Sequence, residues 1–177
     1  LTWMDRRAVK EAEELTAELG EKVYGVCGWA TTPAACTSKL RWLKRYDRDV
    51  FEGASMFVTT EEYVNYRLTG KFVTDPTGAA IERLYNTVGE CWDKELTAYM
   101  GIDESKLPAV MPCGSAIGNL TPEACRDFGL PEDSKIPVYC GAHDQYCASI
   151  GSGVTKPGEL LLATGTAWVL FGVTDKP

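Results

Sequence analysis

The sequence predicts an α/β fold, on three observations. Segments with apolar residues at three- and four-residue spacing alternate with short apolar runs of strand length. Proline and glycine punctuate most of the boundaries between them. The alternation breaks once, at Ser152–Gly158, after which a pair of apolar strands, Leu160–Thr174, closes the sequence. A lone hairpin is marginal in water, so the chain is expected to be cut short at its C-terminus.

Taken in order, Leu1–Met4 reads as the end of a strand and Asp5 as a helix N-cap. The helix is expected to run to about Leu19, with Ala8, Ala12, Leu15 and Leu19 on one face and Gly20 as its stop. Residues 25–36 are small and turn-prone around Pro33 and read as a loop. A helix over Ser38–Tyr46 buries part of its face through Leu40, Trp42 and Leu43, leaving Lys39, Arg41, Lys44 and Arg45 as its wet face. Ser55–Val58 reads as a short strand. Thr59 and Glu62 spell a capping box, and Gly70 stands where a left-handed cap would end that helix. Asp75-Pro76-Thr77 opens another helix with Pro near its first turn. Trp92–Met100 reads as a helix closed by Gly101, Leu107–Pro112 as extended, and Thr121-Pro122 as the start of a helix that Gly129 ends. Tyr63, Tyr66, Tyr85 and Tyr99 lie at helical spacing and are expected in the core.

Composition narrows the function classes. With 177 residues, 45% hydrophobic and 24% charged, the chain can build one ordinary core. The formal charge of −7, with no basic stretch able to track a phosphate backbone, speaks against nucleic acid. No apolar run reaches membrane-spanning length, and the N-terminus lacks a basic region followed by an apolar stretch, so neither a membrane span nor a signal peptide is expected. Seven scattered cysteines without a CxxC pair, and a single histidine, His143, argue against a zinc site and for a reducing cytoplasm.

The stretch from Val138 to Thr174 carries the chemistry. A short apolar strand delivers Asp144 to its C-terminal end, a small-residue helix follows, and Pro157-Gly158-Glu159 turns into an apolar strand broken at Thr164-Gly165-Thr166. A Thr-Gly-Thr turn leaves N–H groups and hydroxyls facing outward, suited to phosphate oxygens. A carboxylate beside such a cradle suggests a base next to a phosphoryl donor. Asp144 equally suits a helix cap, and Trp3 unaided reads as a core residue.

Gly141-Ala-His-Asp144-Gln145, Pro157-Gly-Glu159 and Gly165-Thr166 resemble the central segment of the FGGY carbohydrate kinases. Trp3-Met-Asp5-Arg-Arg7 is similar to that family's Trp-x-Asp-x-Arg sugar-site segment. Lys39–Leu43, Thr59–Tyr63 and Tyr66–Asp75 resemble its helical middle, in the same order. The resemblance implies an actin-like, ribonuclease-H-like α/β fold with helical insertions. Residues 1–156 would be a partial N-terminal sugar-binding domain, and 157–177 the first hairpin of a C-terminal ATP-binding domain. It implies Asp144 as catalytic base, and Trp3, Asp5, Asp144 and Gln145 as substrate contacts. Gly165 and Thr166 would hold ATP phosphates, with Mg²⁺ as cofactor. Asp75 would border the sugar pocket. The implied partners are a sugar or polyol and ATP, and a homodimer is compatible with it.

Two family segments, an Asp-x-Gly-Thr hairpin and a Gly-rich adenosine segment, do not occur in the sequence, so this chain alone is expected to be inactive. Glycerol kinases carry a tyrosine where Ala34-Ala35 stands, and Val169-Leu-Phe171 looks more like xylulokinases, which points to a ketopentose such as xylulose. Two other classes fit less of the chain. One is a sugar-binding regulatory domain without catalysis. The other is a hydrolase using Asp144 with His143, disfavoured because neighbours on an extended chain face opposite ways and no Gly-x-Ser-x-Gly elbow is present.

Overall fold

The computed structural model describes residues 1–165 and 168–175. It is a mixed α/β chain that divides into two compact units, residues 1–141 and 142–177.

The first unit opens with a turn, not a strand: Asp5 N–H donates to Thr2 O at 3.0 Å. Helix α1 spans Val9–Cys27, with Ala8 rather than Asp5 at the cap position. It runs straight through Gly20 and ends at Gly28, whose φ of 75° is left-handed. Glycine inside a helix costs about 1 kcal/mol relative to alanine. Burying Val23 and Cys27 beyond it outweighs that cost, which is why the expected stop at Gly20 does not occur. The loop expected from residue 25 is correspondingly shortened.

Helix α2, Cys36–Tyr46, starts two residues earlier than the periodicity suggests and leads into α3, Arg48–Gly53. Ser55–Val58 forms no strand. Phe57 N–H makes one bond, to Lys106 O at 2.8 Å, and its ring packs on Phe51 at 5.0 Å between centroids. A single backbone bond is not a ladder.

Helix α4, Thr60–Thr69, carries the expected capping box and ends at left-handed Gly70. Strand β1 (Val73–Thr74) leads into α5, Pro76–Ile81, capped by Asp75, whose carboxylate accepts from Thr77 N at 2.7 Å and Gly78 N at 3.2 Å. Strands β2 (Tyr85–Asn86) and β3 (Cys91–Trp92) pair antiparallel. Helix α6 begins only at Lys94, with Asp93 as its cap, and ends at left-handed Gly101. Strand β4 (Ala109–Val110) pairs parallel with β1. Strands β5 (Ala116–Asn119) and β6 (Pro137–Tyr139) pair antiparallel around α7, Pro122–Asp127, which Thr121 caps.

The main core gathers Leu15, Val23, Phe51, Leu84, Trp92, Leu96 and Met100 from α1, α3, the α5–β2 connection, β3 and α6. A smaller cluster, Val73, Ile117 and Cys140, fastens β1 to β5 and the end of β6. Of the four tyrosines expected inside, only Tyr85 is buried. Tyr66 instead stacks on Phe72 at the surface, 4.1 Å between centroids. A phenol satisfies its hydroxyl most simply by keeping it wet, so helical spacing alone overstates its burial.

The second unit holds helix α8, Asp144–Gly151, and the expected antiparallel hairpin of β7 (Leu160–Thr164) and β8 (Trp168–Gly172). Tyr146 of α8 meets Phe171 of β8 edge-on at 5.1 Å. The turn before β7 is tied by Glu159, whose carboxylate accepts from Thr155 N and Lys156 N, both at 2.8 Å. The hydrogen bond from Lys156, then that from Thr155, hold this carboxyl below the usual range.

Candidate active site

In the first unit, Trp3 is 68% exposed, not a core residue. Asp5 follows it across the Thr2–Asp5 turn. Its carboxylate accepts from Arg7 N at 3.0 Å and from Arg7 Nε at 2.9 and 3.0 Å, an Asx-type turn that replaces the expected helix cap. The hydrogen bonds from the Arg7 side chain, and then from its backbone, hold the Asp5 carboxyl below the usual carboxylate range. Arg7 in turn lies over the Trp42 ring, 4.9 Å from its centroid. An exposed indole and a fixed carboxylate two residues apart can respectively cover an apolar C–H face and accept hydroxyl hydrogens.

Lys39 is not on a wet face. It is 6% exposed, and its Nζ donates to Thr2 O at 2.7 Å and Ala34 O at 2.8 Å. The signal was present in the spacing, since Lys39, Trp42 and Leu43 stand at i, i+3 and i+4 on one face of α2.

In the second unit, Asp144 is the first residue of α8. His143 occupies the cap position, and no side chain makes a capping bond there. The Asp144 side chain is 80% exposed, and His143 Nε2 lies 3.3 Å from its Oδ1. The expected divergence of these neighbours does not occur, because the chain turns into the helix between them rather than staying extended. The carboxylate is thus open to a reactant and steadied by an imidazole. Beside it, the buried Oε1 of half-buried Gln145 has no hydrogen-bond partner among the described residues. Gly165 is an exposed bend following β7, and Thr166 lies outside the described residues. Among the described residues, no three His, Cys, Asp or Glu side chains converge to hold a metal ion. No helix among them is long and apolar enough to cross a membrane.

The chain matches the profile of the FGGY family of carbohydrate kinases, N-terminal domain, over residues 1–151. It belongs to the FGGY family. A xylulose kinase of Staphylococcus xylosus is 29% identical over 176 residues, a match covering 99% of this chain and 36% of that enzyme. A glycerol kinase of Sinorhizobium fredii is 33% identical over 177 residues, covering 94% and 33%. The crystal structure of xylulose kinase from Rhodospirillum rubrum superposes with a TM-score of 0.84 at 32% identity, covering 93% of this chain and 33% of that one. The fold is therefore the actin-like, ribonuclease-H-like α/β fold of FGGY kinases. The chain spans about a third of the length of these relatives.

Proposed function

We propose that the complete enzyme carrying this FGGY chain transfers the γ-phosphoryl group of ATP to a sugar or polyol hydroxyl in the cytoplasm. Residues 1–156 act as its sugar-binding domain, and 157–177 as the first hairpin of its ATP-binding domain. The observation that carries this reading is the open Asp144 carboxylate at the start of α8, next to the unsatisfied amide oxygen of Gln145. Asp144 accepts the proton of the attacking hydroxyl as the phosphoryl group arrives. In a loose transition state placement matters more than basicity, so an exposed carboxylate suffices. Gln145 Oε1 accepts a hydrogen bond from a neighbouring hydroxyl, and its amide group keeps the acceptor chain aligned with Asp144. Trp3 covers the apolar edge of the sugar, and Asp5, held in place by Arg7, accepts from a further hydroxyl. Gly165 and Thr166 hold the donor's phosphate oxygens. Mg²⁺ enters with the nucleotide, and no residue is assigned to it.

A ketopentose such as xylulose is the favoured acceptor. Ala34-Ala35 leaves no aromatic side chain at that point of the loop, and Val169-Leu-Phe171 has the xylulokinase pattern. Asp144→Asn in the complete enzyme is expected to lower kcat by about 10²–10⁴ with the sugar Kd nearly unchanged. An unaltered kcat removes Asp144 from the reaction. A panel of pentuloses and polyols, compared by kcat/KM with ATP, decides the acceptor.

A further inference from the structure

Between Leu1 and Arg7 no side chain is buried, and Trp3 and Met4 are 68% and 66% exposed. Packing therefore does not hold the turn that presents Trp3 and Asp5; polar ties do. Thr2 O closes that turn by accepting from Asp5 N at 3.0 Å, and the same oxygen accepts from Lys39 Nζ at 2.7 Å. The ammonium also donates to Ala34 O at 2.8 Å, so one cation joins the N-terminal turn, the loop before α2 and α2 itself. From the same helix face, Trp42 supports Arg7, which grips Asp5 from its other side.

Burying an ammonium is costly, and the Asp5 carboxylate attracts Lys39 from beyond ion-pair distance rather than pairing with it. A methionine or leucine would fill the space without that cost. What only the cation supplies is a fixed, two-pronged hold on two carbonyl oxygens from separate loops.

We propose that Lys39 is a positioning residue of the sugar site, setting the Trp3–Asp5 turn relative to the Ala34 loop so that the indole and the carboxylate meet the acceptor together. The inference rests on the sugar-facing reading of Trp3 and Asp5 given above. It concerns acceptor binding only, and leaves proton removal by Asp144 untouched.

The test uses the complete enzyme and D-xylulose, with Lys39→Met, Lys39→Arg, Trp3→Ala and Asp5→Asn compared. Lys39→Met is expected to raise the KM for the sugar about tenfold, with kcat and the KM for ATP within about twofold. Lys39→Arg, which keeps the charge and the donors, is expected to recover most of that loss. Should Lys39→Met not fold, Lys39→Gln replaces it: its shorter amide cannot reach both carbonyls, and the same rise in KM is expected. A lowered Tm with sugar KM unchanged would make Lys39 a structural tie and overturn the inference. If Trp3→Ala and Asp5→Asn raise the sugar KM while the Lys39 variants do not, the inference fails alone. If Trp3→Ala and Asp5→Asn also leave it unchanged, the sugar-facing reading fails and takes the inference with it.

Discussion

Asp75 Oδ2 and Glu61 Oε2 face the same side of Gly78, where a β-carbon would meet them at 2.9 and 3.5 Å, with Thr74 Oγ1 at 3.0 Å. Asp75 and Thr74 are fully buried, and neither of these two oxygens has a hydrogen-bond partner among the described residues. The absent side chain of Gly78 is what lets a strand end, a helix cap and a neighbouring helix bring three oxygens together.

Gly78→Ala tests that packing. In an ordinary helix the change would stabilise by about 1 kcal/mol. Here the methyl group enters space held by two buried side chains that cannot withdraw, and overpacking costs about 1–3 kcal/mol. Urea unfolding is expected to show a net loss of stability; a gain would mean that the cap region yields freely.

Glu61 makes stability depend on pH. Burial, then the neighbouring carboxylates of Asp75 and Glu62, pushes its pKa from 4.5 to about 7. The folded state therefore binds the proton more tightly than the unfolded chain. Its contribution is fully present below pH 4.5 and is lost as pH rises through about 7. Glu82, raised well above the usual carboxylate range by burial first and then by Glu62 and Glu61, acts with the same sign. Groups whose pKa is lowered, such as Asp5 and Glu159, work below pH 4.5 and do not mask the trend. Unfolding free energy measured from pH 5 to 8 is expected to decline, and Glu61→Gln to flatten the slope around pH 7. A slope unchanged in Glu61→Gln would contradict this account.

Glu11 is 1% exposed and its carboxylate accepts from Arg45 Nη1 at 2.6 Å, joining α1 to α2. Arg45→Met leaves that carboxylate buried without its partner, at an expected cost of about 2–4 kcal/mol. Arg45→Met with Glu11→Leu removes both charges and is expected to recover at least half of the loss. A double variant no better than the single one would show that the pair acts through something other than the stranded charge.

Thr59 and Glu62 cap α4 reciprocally, with Thr59 N donating to Glu62 Oε2 at 2.6 Å. Thr59→Ala is expected to cost about 1 kcal/mol. Because Glu62 is 1% exposed, Glu62→Ala is expected to cost more, by leaving the cap donors unpaired in a buried place. Thermal melts of the two variants order them directly.

Local signals carried far along this chain. The capping box at Thr59–Glu62, the Asp75-Pro76 and Thr121-Pro122 helix starts, and the left-handed glycines at 70, 101 and 129 all appear where the residues place them, because each depends on a few neighbouring bonds. The β7–β8 hairpin is equally local. Features that depend on distant partners were not legible. Gly20 stays helical because of what Val23 and Cys27 reach. Phe57 makes a single backbone bond, to Lys106 O, and no strand among the described residues pairs with its segment. Tyr63, Tyr66 and Tyr99 are wet despite their spacing.

The candidate site divides along the same line. Residue identity and order alone determined the family, the acidic residue at 144 with its glutamine neighbour, and the Trp3–Asp5 pair, since these are read one after another along the chain. Only the tertiary structure decided that Lys39 is buried against Thr2 and Ala34, and that the Trp42 ring lies under Arg7. A pattern of residue types records which groups are present. The desolvation of a charge, and the carbonyl it must then find, depend on segments that meet only after the chain has folded.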